Sequence, residues 1–406
     1  LVADNKLQLD QTLDQFFPRF PSYAKNINIS HLLHHTSGLR DFTQITYLTG
    51  LRPDDYYDDT DIMGWISQQH ALNFQPGEQH MYSNSGYWLL GRIVEKASGM
   101  SLAKYAEQTI FKPLGMNNTQ FIDNNTTVIK NRASGYSPIR SGGHRLIRTL
   151  LQRTGEAGVF STVEDLKRWD DSFYSTTTFN ADFWQHMTRT GKLNNGESIN
   201  YAKGLEIGEL QGHKTISHAG RWPGFQTEMV RFPEHKLTVI LLANTAAINP
   251  SRLANQVANV LLPVNTTIEP KEKPKAAADT ITLSEQQLQA FASRYWSTSH
   301  GFSRDVAVID GQLTYERGRG RGNALLPNPS KSSGNSFTMA DTPPGMTVEV
   351  RFDADTNHKG QHQMVFIENG SEVDWFKAVE TPVRNEAQLQ ALAGDYYAEE
   401  IKTLYS

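Results

Sequence analysis

A chain of 406 residues is long enough for two to four domains at about 100–200 residues each. Lys and Arg number 39 against 43 Asp and Glu, a net charge of −4 that argues against a dedicated nucleic-acid binder. There are no cysteines, which excludes disulfides, thiolate nucleophiles and Cys-ligated metals, and no apolar run approaches the ~20 residues of a membrane-spanning helix.

The chain opens at Leu1, and Leu1–Asp10 reads as the tail of a helix and the turn after it, so the sequence is read as an interior part of a longer protein. Residues 1–262 read as one unit of helices and strands. Tyr87, Leu90, Ile93, Val94 and Ala97 recur at helical spacing, which predicts a helix over Ser85–Ser98 with Gly99 as its cap. A second helix is expected over Ser101–Ile110, stopped before Pro113, and a third opens at the capping box Ser161–Glu164 and runs through Trp169. Lys214–Ser217 reads as a strand that His218-Ala219-Gly220 ends. Thr227–Phe232 and Leu237–Ala243 flank Pro233–Lys236 as an antiparallel hairpin. Helices in the middle and a hairpin sheet near the end give an α+β class rather than a doubly wound one.

Residues 263–280, with three prolines and alternating charge, read as a linker. Beyond it, 281–385 carries short strand-like runs such as Asp305–Ile309, Thr347–Phe352 and Gln363–Ile367, the pattern of a small antiparallel β-barrel. Gln287–Trp296 is echoed 101 residues later by Gln388–Tyr397, so 386–406 is expected to open a second, truncated copy of the barrel.

Three stretches could carry chemistry. Tyr82-Ser83-Asn84 precedes a helix, where a phenol can relay protons if a cation lowers its pKa and an amide can hold a substrate amide. Next to this stands an ordinary aromatic beside a helix cap. His218-Ala219-Gly220 on an edge strand suits recognition of a carbonyl or oxyanion, but taken alone it reads first as a structural His in a turn. His31-Leu32-Leu33-His34-His35-Thr36-Ser37-Gly38-Leu39 holds three histidines in five residues, but without an H-E-x-x-H pattern or any Cys. It reads as core leucines followed by His35, Thr36 and Ser37 in buried hydrogen bonds rather than as a metal site.

In this order the stretches resemble the penicillin-recognising serine hydrolases, the group of class C β-lactamases, D,D-peptidases, related esterases and D-aminopeptidases. Leu32-Leu33-x-His35-Thr36-Ser37-Gly38-Leu39 is similar to the family's hallmark stretch, Pro76-Gly77 with Tyr82-x-Asn84 to its second catalytic motif, and His218-x-Gly220 to the His form of its third. Phe111-x-Pro113-Leu114-Gly115-Met116 and Gly158-x-x-Ser161-Thr162-x-x-Asp165-Leu166 match further family segments. The resemblance implies a β-lactamase/transpeptidase-like domain. A lipocalin-like barrel and the start of a second after it are similar to the layout of D-aminopeptidases.

The family nucleophile is a Ser in Ser-x-x-Lys, which the resemblance puts about a dozen residues ahead of Leu1. Two look-alikes fall in the chain. Ser22-Tyr23-Ala24-Lys25 lies in a loop, and Ser101-Leu102-Ala103-Lys104 opens a helix that turns Lys104 to water. The chain by itself is therefore expected to be inactive. The resemblance implies a serine acyl-enzyme, with Tyr82 and the absent Lys moving the proton, Asn84 orienting the substrate amide and His218 lining the cleft. Gly220 and the N–H of Arg221 would serve the oxyanion.

A His is mostly neutral near pH 7, so His218 in place of a family Lys tilts against carboxylate-bearing penicillins and toward esters or substrates with a free amine. D-Aminopeptidase activity on a small or short-peptide substrate is expected. Carboxylesterase or β-lactamase-like activity is the alternative, and a non-catalytic peptide- or peptidoglycan-binding protein is the rival of another class. No cofactor, metal, nucleic acid or transmembrane segment is expected, and a periplasmic or secreted location is preferred to a cytoplasmic one. The acidic stretch Asp54, Asp55, Asp58, Asp59 and Asp61 reads as a solvated cover over the cleft, and Arg317–Gly322, alternating Arg and Gly, as a flexible barrel loop.

Overall fold

The computed structural model describes the chain except residues 52–54, 140–141, 150–151, 181, 264–282, 298–301, 317–321, 329–333, 341, 343–346, 355–361, 369–370, 380–386, 388–389, 392 and 406. Two compact units result, one of residues 1–268 with 395–406, the other of residues 269–394. The boundaries expected from composition, 1–262, 263–280, 281–385 and 386–406, stand as a proposal. Beyond Pro263 the expected linker lies outside the described residues, as do Asp54, Arg317–Arg321 and the expected start of the second copy at Glu386.

The first unit combines helices with an antiparallel sheet. Its principal helices are α1 (Ile29–Leu33), α2 (Phe42–Leu48), α3 (Asp59–Ser67), α4 (Asn84–Ser98), α5 (Leu102–Ala106), α6 (Val163–Asp171) and α7 (Pro250–Leu261). The apolar stripe of α4 buries Trp88, Leu89 and Ile93 against Leu32, Phe42 and Ile62, and Gly99 closes the helix at φ 70°. The second expected helix is shorter than predicted. After Ala106 it widens into a π-turn over Glu107–Phe111, with Lys112 N–H reaching Glu107 O at 2.9 Å. Thr109 Oγ1 donates to Tyr105 O at 2.7 Å and competes for the carbonyl that an α-helix would pair with the backbone. The cap of α6 is Thr162, whose Oγ1 accepts from Asp165 N–H at 3.2 Å. Ser161 pairs with Thr119 instead, so the expected box starts one residue late.

The sheet runs β1 (Glu206–Leu210), β2 (His213–Trp222), β3 (Phe225–Phe232), β4 (Leu237–Ala243) in spatial order, all antiparallel. Helix α7 covers it, with Ala254 and Ala258 against Val230 and Phe232. Strand β2 does not end at Ser217 as expected: it continues through His218-Ala219-Gly220 to Trp222. Strand β1 pairs with it only as far as Ser217, so from His218 onward β2 is bonded to β3 on one side and, among the described residues, open on the other.

The second unit is a closed antiparallel barrel of eight strands, β5 (Ser293–Ser297), β6 (Ser303–Ile309), β7 (Gln312–Glu316), β8 (Gly322–Pro327), β9 (Ser336–Met339), β10 (Val348–Ala354), β11 (His362–Glu368) and β12 (Ser371–Val379). Consecutive strands pair and β5 closes against β12, which removes every free edge. Tyr295, Phe337, Phe352 and Phe376 fill its interior. In the first unit a short hairpin, β13 (Tyr396–Ala398) with β14 (Thr403–Tyr405), carries Glu400, which ion-pairs with Arg40 and accepts from His70 N–H at 2.7 Å. Among the described residues no helix is long and apolar enough to cross a membrane.

Candidate active site

The loop after α1 organises the site. His35 is 1% exposed and sits in the left-handed region at φ 54°, a strained conformation for a non-glycine residue. Its carbonyl accepts from Met81 N–H at 2.9 Å, and its Nδ1 accepts from Ser83 N–H at 3.1 Å. The residues on either side of Tyr82 are thus both tied to His35, and the two rings lie 4.1 Å apart. Burial holds the imidazole well below its usual pKa, so Nδ1 stays an acceptor. Thr36 O accepts from Gly77 N–H at 2.8 Å, which fixes the Pro76-Gly77 turn, and Gly38 O accepts from Asn73 N–H at 2.8 Å. Gly38 has φ 73°, and a Cβ there would stand 2.1 Å from Phe74 O.

The three neighbouring histidines do different work. His31 completes a capping box with Asn28, His34 Nδ1 lies 3.3 Å from Tyr201 O, and His35 holds the Tyr82 segment. Among the described residues no group of three or more metal-ligating side chains occurs.

Tyr82 is the half-exposed member of an aromatic group with His35, Tyr201 and His218, its ring 6.3 Å from that of His218. Its hydroxyl is pushed up to about 12, first by burial and then by the carboxylates of Asp41, Glu206 and Glu156. Asn84 begins α4, and its backbone N–H and Nδ2 both donate to Asp41 Oδ2, at 2.8 and 2.7 Å. Ser85 Oγ donates to Arg40 O at 2.6 Å and accepts from Phe42 N–H at 2.9 Å, so the start of α2 and the start of α4 are stitched together.

His218 projects from the half of β2 whose outer edge is open. Its Nδ1 donates to Ala219 O at 2.7 Å, which leaves Nε2 to accept from the Tyr201 hydroxyl at 3.0 Å. Gly220 lies opposite Thr227, and Arg221 is exposed on the same strand. A cleft of about 1870 Å³ is bounded by Gly220, Arg221, Trp222, Glu156 and the π-turn region, but not by Tyr82, Asn84 or His218.

Glu156 is a buried carboxyl. Arg153 Nε approaches it as an ion-pair partner at 3.0 Å. Burial raises the acid to about 7 despite that neighbouring charge.

The sequence reading passed over Asp41, Tyr201 and Glu156. Asp41-Phe42-Thr43 is a helix-capping pattern and could have drawn notice. Tyr201 and Glu156 have no local signal, because only the fold brings them to the site. Neither look-alike Ser-x-x-Lys contacts Tyr82. Ser22 is exposed on a 3₁₀ turn, and Ser101 Oγ is the cap of α5, accepting from Lys104 N–H at 3.2 Å. The acidic stretch is more than a solvated cover: Asp58 caps α3, and Asp59 accepts from Trp88 Nε1 at 2.9 Å and ion-pairs with Arg92.

Residues 1–262 match the protein-family model described as Beta-lactamase. Penicillin-binding protein 4* of Bacillus subtilis is 31% identical over 68% of this chain and 65% of its own length. A D-aminopeptidase of Gluconobacter oxydans is 24% identical over 60% of this chain and 46% of its own. The chain thus spans between about half and two-thirds of these relatives. An octameric penicillin-binding protein homologue from Pyrococcus abyssi has the same fold, with a TM-score of 0.60, 23% identity, and coverage of 93% of this chain and 84% of that one.

Proposed function

Because this chain belongs to the β-lactamase family, we propose that it carries the substrate-facing wall of a serine acyl-transfer hydrolase of the D-aminopeptidase kind, acting on small amides or peptides. The observation that carries this reading is the opposition of Tyr82 and His218, rings 6.3 Å apart, beside the open edge of β2 and with Asn84 two residues on.

In this reading the nucleophile is the Ser of a Ser-x-x-Lys motif on a helix ahead of Leu1. Its Oγ bonds to the scissile carbonyl carbon, and its proton passes through Tyr82 and the Lys to the leaving nitrogen as the C–N bond breaks. Water then repeats the attack on the acyl ester. A phenol raised to about 12 by burial and three carboxylates does not ionise unaided near neutrality, so a neighbouring ammonium is what the site requires. The oxyanion takes the nucleophile's own N–H and that of Arg221. In a two-residue hairpin the closing pair, here Trp222 and Phe225, exchanges hydrogen bonds, and strand alternation then turns the Arg221 N–H toward the open edge. Such a donor is typically worth about 2.7–4 kcal/mol. An imidazole at position 218 supplies no permanent charge for a substrate carboxylate, which favours amine-bearing or neutral substrates.

The test is turnover of D-alanine p-nitroanilide by the protein with its upstream segment. Tyr82→Phe should lower kcat by about 10²–10⁴-fold with an unchanged circular dichroism spectrum. A variant within about threefold of the parent removes Tyr82 from the mechanism. Hydrolysis of p-nitrophenyl acetate but not the anilide would make the protein an esterase, and binding of D-alanyl peptides without turnover a binding protein.

A further inference from the structure

Charge is unevenly spread along the chain. Its net charge is −4, yet between Asp123 and Glu156 it holds six Lys and Arg and no carboxylate. Arg140 lies outside the described residues, and Arg153 is paired with Glu156. The other four, Lys130, Arg132, Arg145 and Arg148, are exposed, and none has an ion-pair partner among the described residues. They lie on and beside a β-hairpin formed by Gly135–Pro138 and His144–Ile147. The root of this hairpin is fixed to the end of the sheet. Tyr136 N–H donates to Asn244 O at 3.0 Å, Ala246 N–H donates to Tyr136 O at 2.9 Å, and Asn244 Nδ2 donates to Ser134 O at 2.9 Å. Gly135 lies against the turn between β2 and β3, where a Cβ would stand 2.7 Å from the Phe225 ring. The segments that hold the hairpin, 220–226 and 242–248, add Arg221 and no carboxylate.

Cross-strand pairing sets the two faces. Tyr136 is opposite Leu146 and Pro138 is opposite His144, so these four share one face, and Gly135 and Ile147 share the other. Because the Gly135 face meets Phe225, the Tyr136–Leu146 face is turned away from the sheet. Tyr136 and Leu146 are 38% and 44% exposed, and Ile139, next after Pro138, is 43% exposed. Three large apolar side chains thus stand in water among cations that have no counter-charge. A surface shaped only for solvation, or for a dissolved polyanion, gains nothing from those apolar groups. A bilayer with anionic headgroups matches both features. Its phosphates meet the cations, and the boundary beneath them takes the aromatic and aliphatic pair.

We propose that this hairpin is a docking surface for an anionic lipid bilayer. The proposal is independent of the acyl-transfer reading, since it uses neither the Tyr82 site nor a nucleophile ahead of Leu1.

The test is co-sedimentation with vesicles of phosphatidylcholine containing about one-third phosphatidylglycerol, and with vesicles of phosphatidylcholine alone, for both the 406-residue chain and the protein with its upstream segment. Both proteins should bind the anionic vesicles about tenfold or more tighter than the neutral ones. That binding should weaken by about tenfold or more between about 0.1 M and 1 M salt, where the Debye length falls from about 10 to about 3 Å. Lys130→Ala, Arg145→Ala and Arg148→Ala combined should cost about a hundredfold, at about fivefold for each cation. Lys6→Ala, Lys192→Ala and Lys214→Ala combined make the same change in charge on exposed lysines elsewhere, and should cost less than about threefold. Tyr136→Ser with Leu146→Ser should weaken binding by about tenfold and keep its salt dependence. All of these side chains are exposed, so the melting midpoint should stay that of the parent.

Equal losses in the two triple variants, equal binding to neutral vesicles, or unaltered binding by the Tyr136–Leu146 double variant would each overturn the proposal. A double-stranded oligonucleotide bound more tightly than the anionic vesicles assigns the surface to nucleic acid and overturns it too. So does binding by the 406-residue chain but not by the longer protein, because the upstream segment then covers the hairpin.

Discussion

At the scale of single residues, the site is organised by groups that cannot ionise freely. Glu156 has its acid raised from 4.5 to about 7 by burial, against the opposing pull of Arg153. A carboxyl whose folded value is raised binds its proton more tightly folded than unfolded. Its contribution is complete below about pH 4.5 and is lost as pH rises to about 7, an effect of up to about 3 kcal/mol. The melting midpoint of the chain should therefore fall between pH 4.5 and about pH 7.5, and Glu156→Gln, which cannot ionise, should flatten that fall. A variant with the same slope as the parent would show that other groups set it. Of the residues involved, Tyr82, Asn84 and His218 were singled out by the resemblance of three stretches, in order, to the motifs of a known family, since each stretch alone also fits a structural role. Asp41, Tyr201 and Glu156 act through partners 43, 17 and 3 positions away, and a linear reading has no means of pairing most of them.

At the scale of elements, the loop from His35 to Leu39 converts backbone strain into placement. Its carbonyls receive Met81, Gly77 and Asn73, so the turn and the Tyr82 segment are held as one piece. Gly38→Ala tests this directly. It requires φ near 73° of an Ala and drives a Cβ into Phe74 O, and should cost about 2 kcal/mol or more. Thermal melts should show a lower midpoint, and the neighbouring Tyr82 segment should lose hydrogen-exchange protection. An unshifted midpoint would mean that the loop relaxes freely and does not hold Tyr82. Helix α4 and the β3–β4 hairpin were legible because period and caps are local properties. The π-turn after Ala106 and the run of β2 past Ser217 were not. The first depends on a Thr109 side chain choosing a backbone acceptor, and the second on a pairing with β3 that spans the His218 motif.

At the scale of the whole molecule, the α+β class and the barrel were readable from the order of periodicities, since closure of eight strands is how a run of short alternating strands hides its edges. What composition could not supply is the meeting of distant segments: residues 35–43, 82–85, 153–158 and 201–222 converge on one site only after folding. The central claim is that this convergence serves a serine carried ahead of Leu1. The most direct measurement is intact-protein and peptide mass spectrometry after brief exposure to a p-nitrophenyl ester, on the chain of 406 residues and on the protein with its upstream segment. The account predicts one acyl adduct on a Ser-x-x-Lys serine of the upstream segment and none on the shorter chain. An adduct at Ser22 or Ser101, or no adduct on either protein while the ester is hydrolysed, would contradict it.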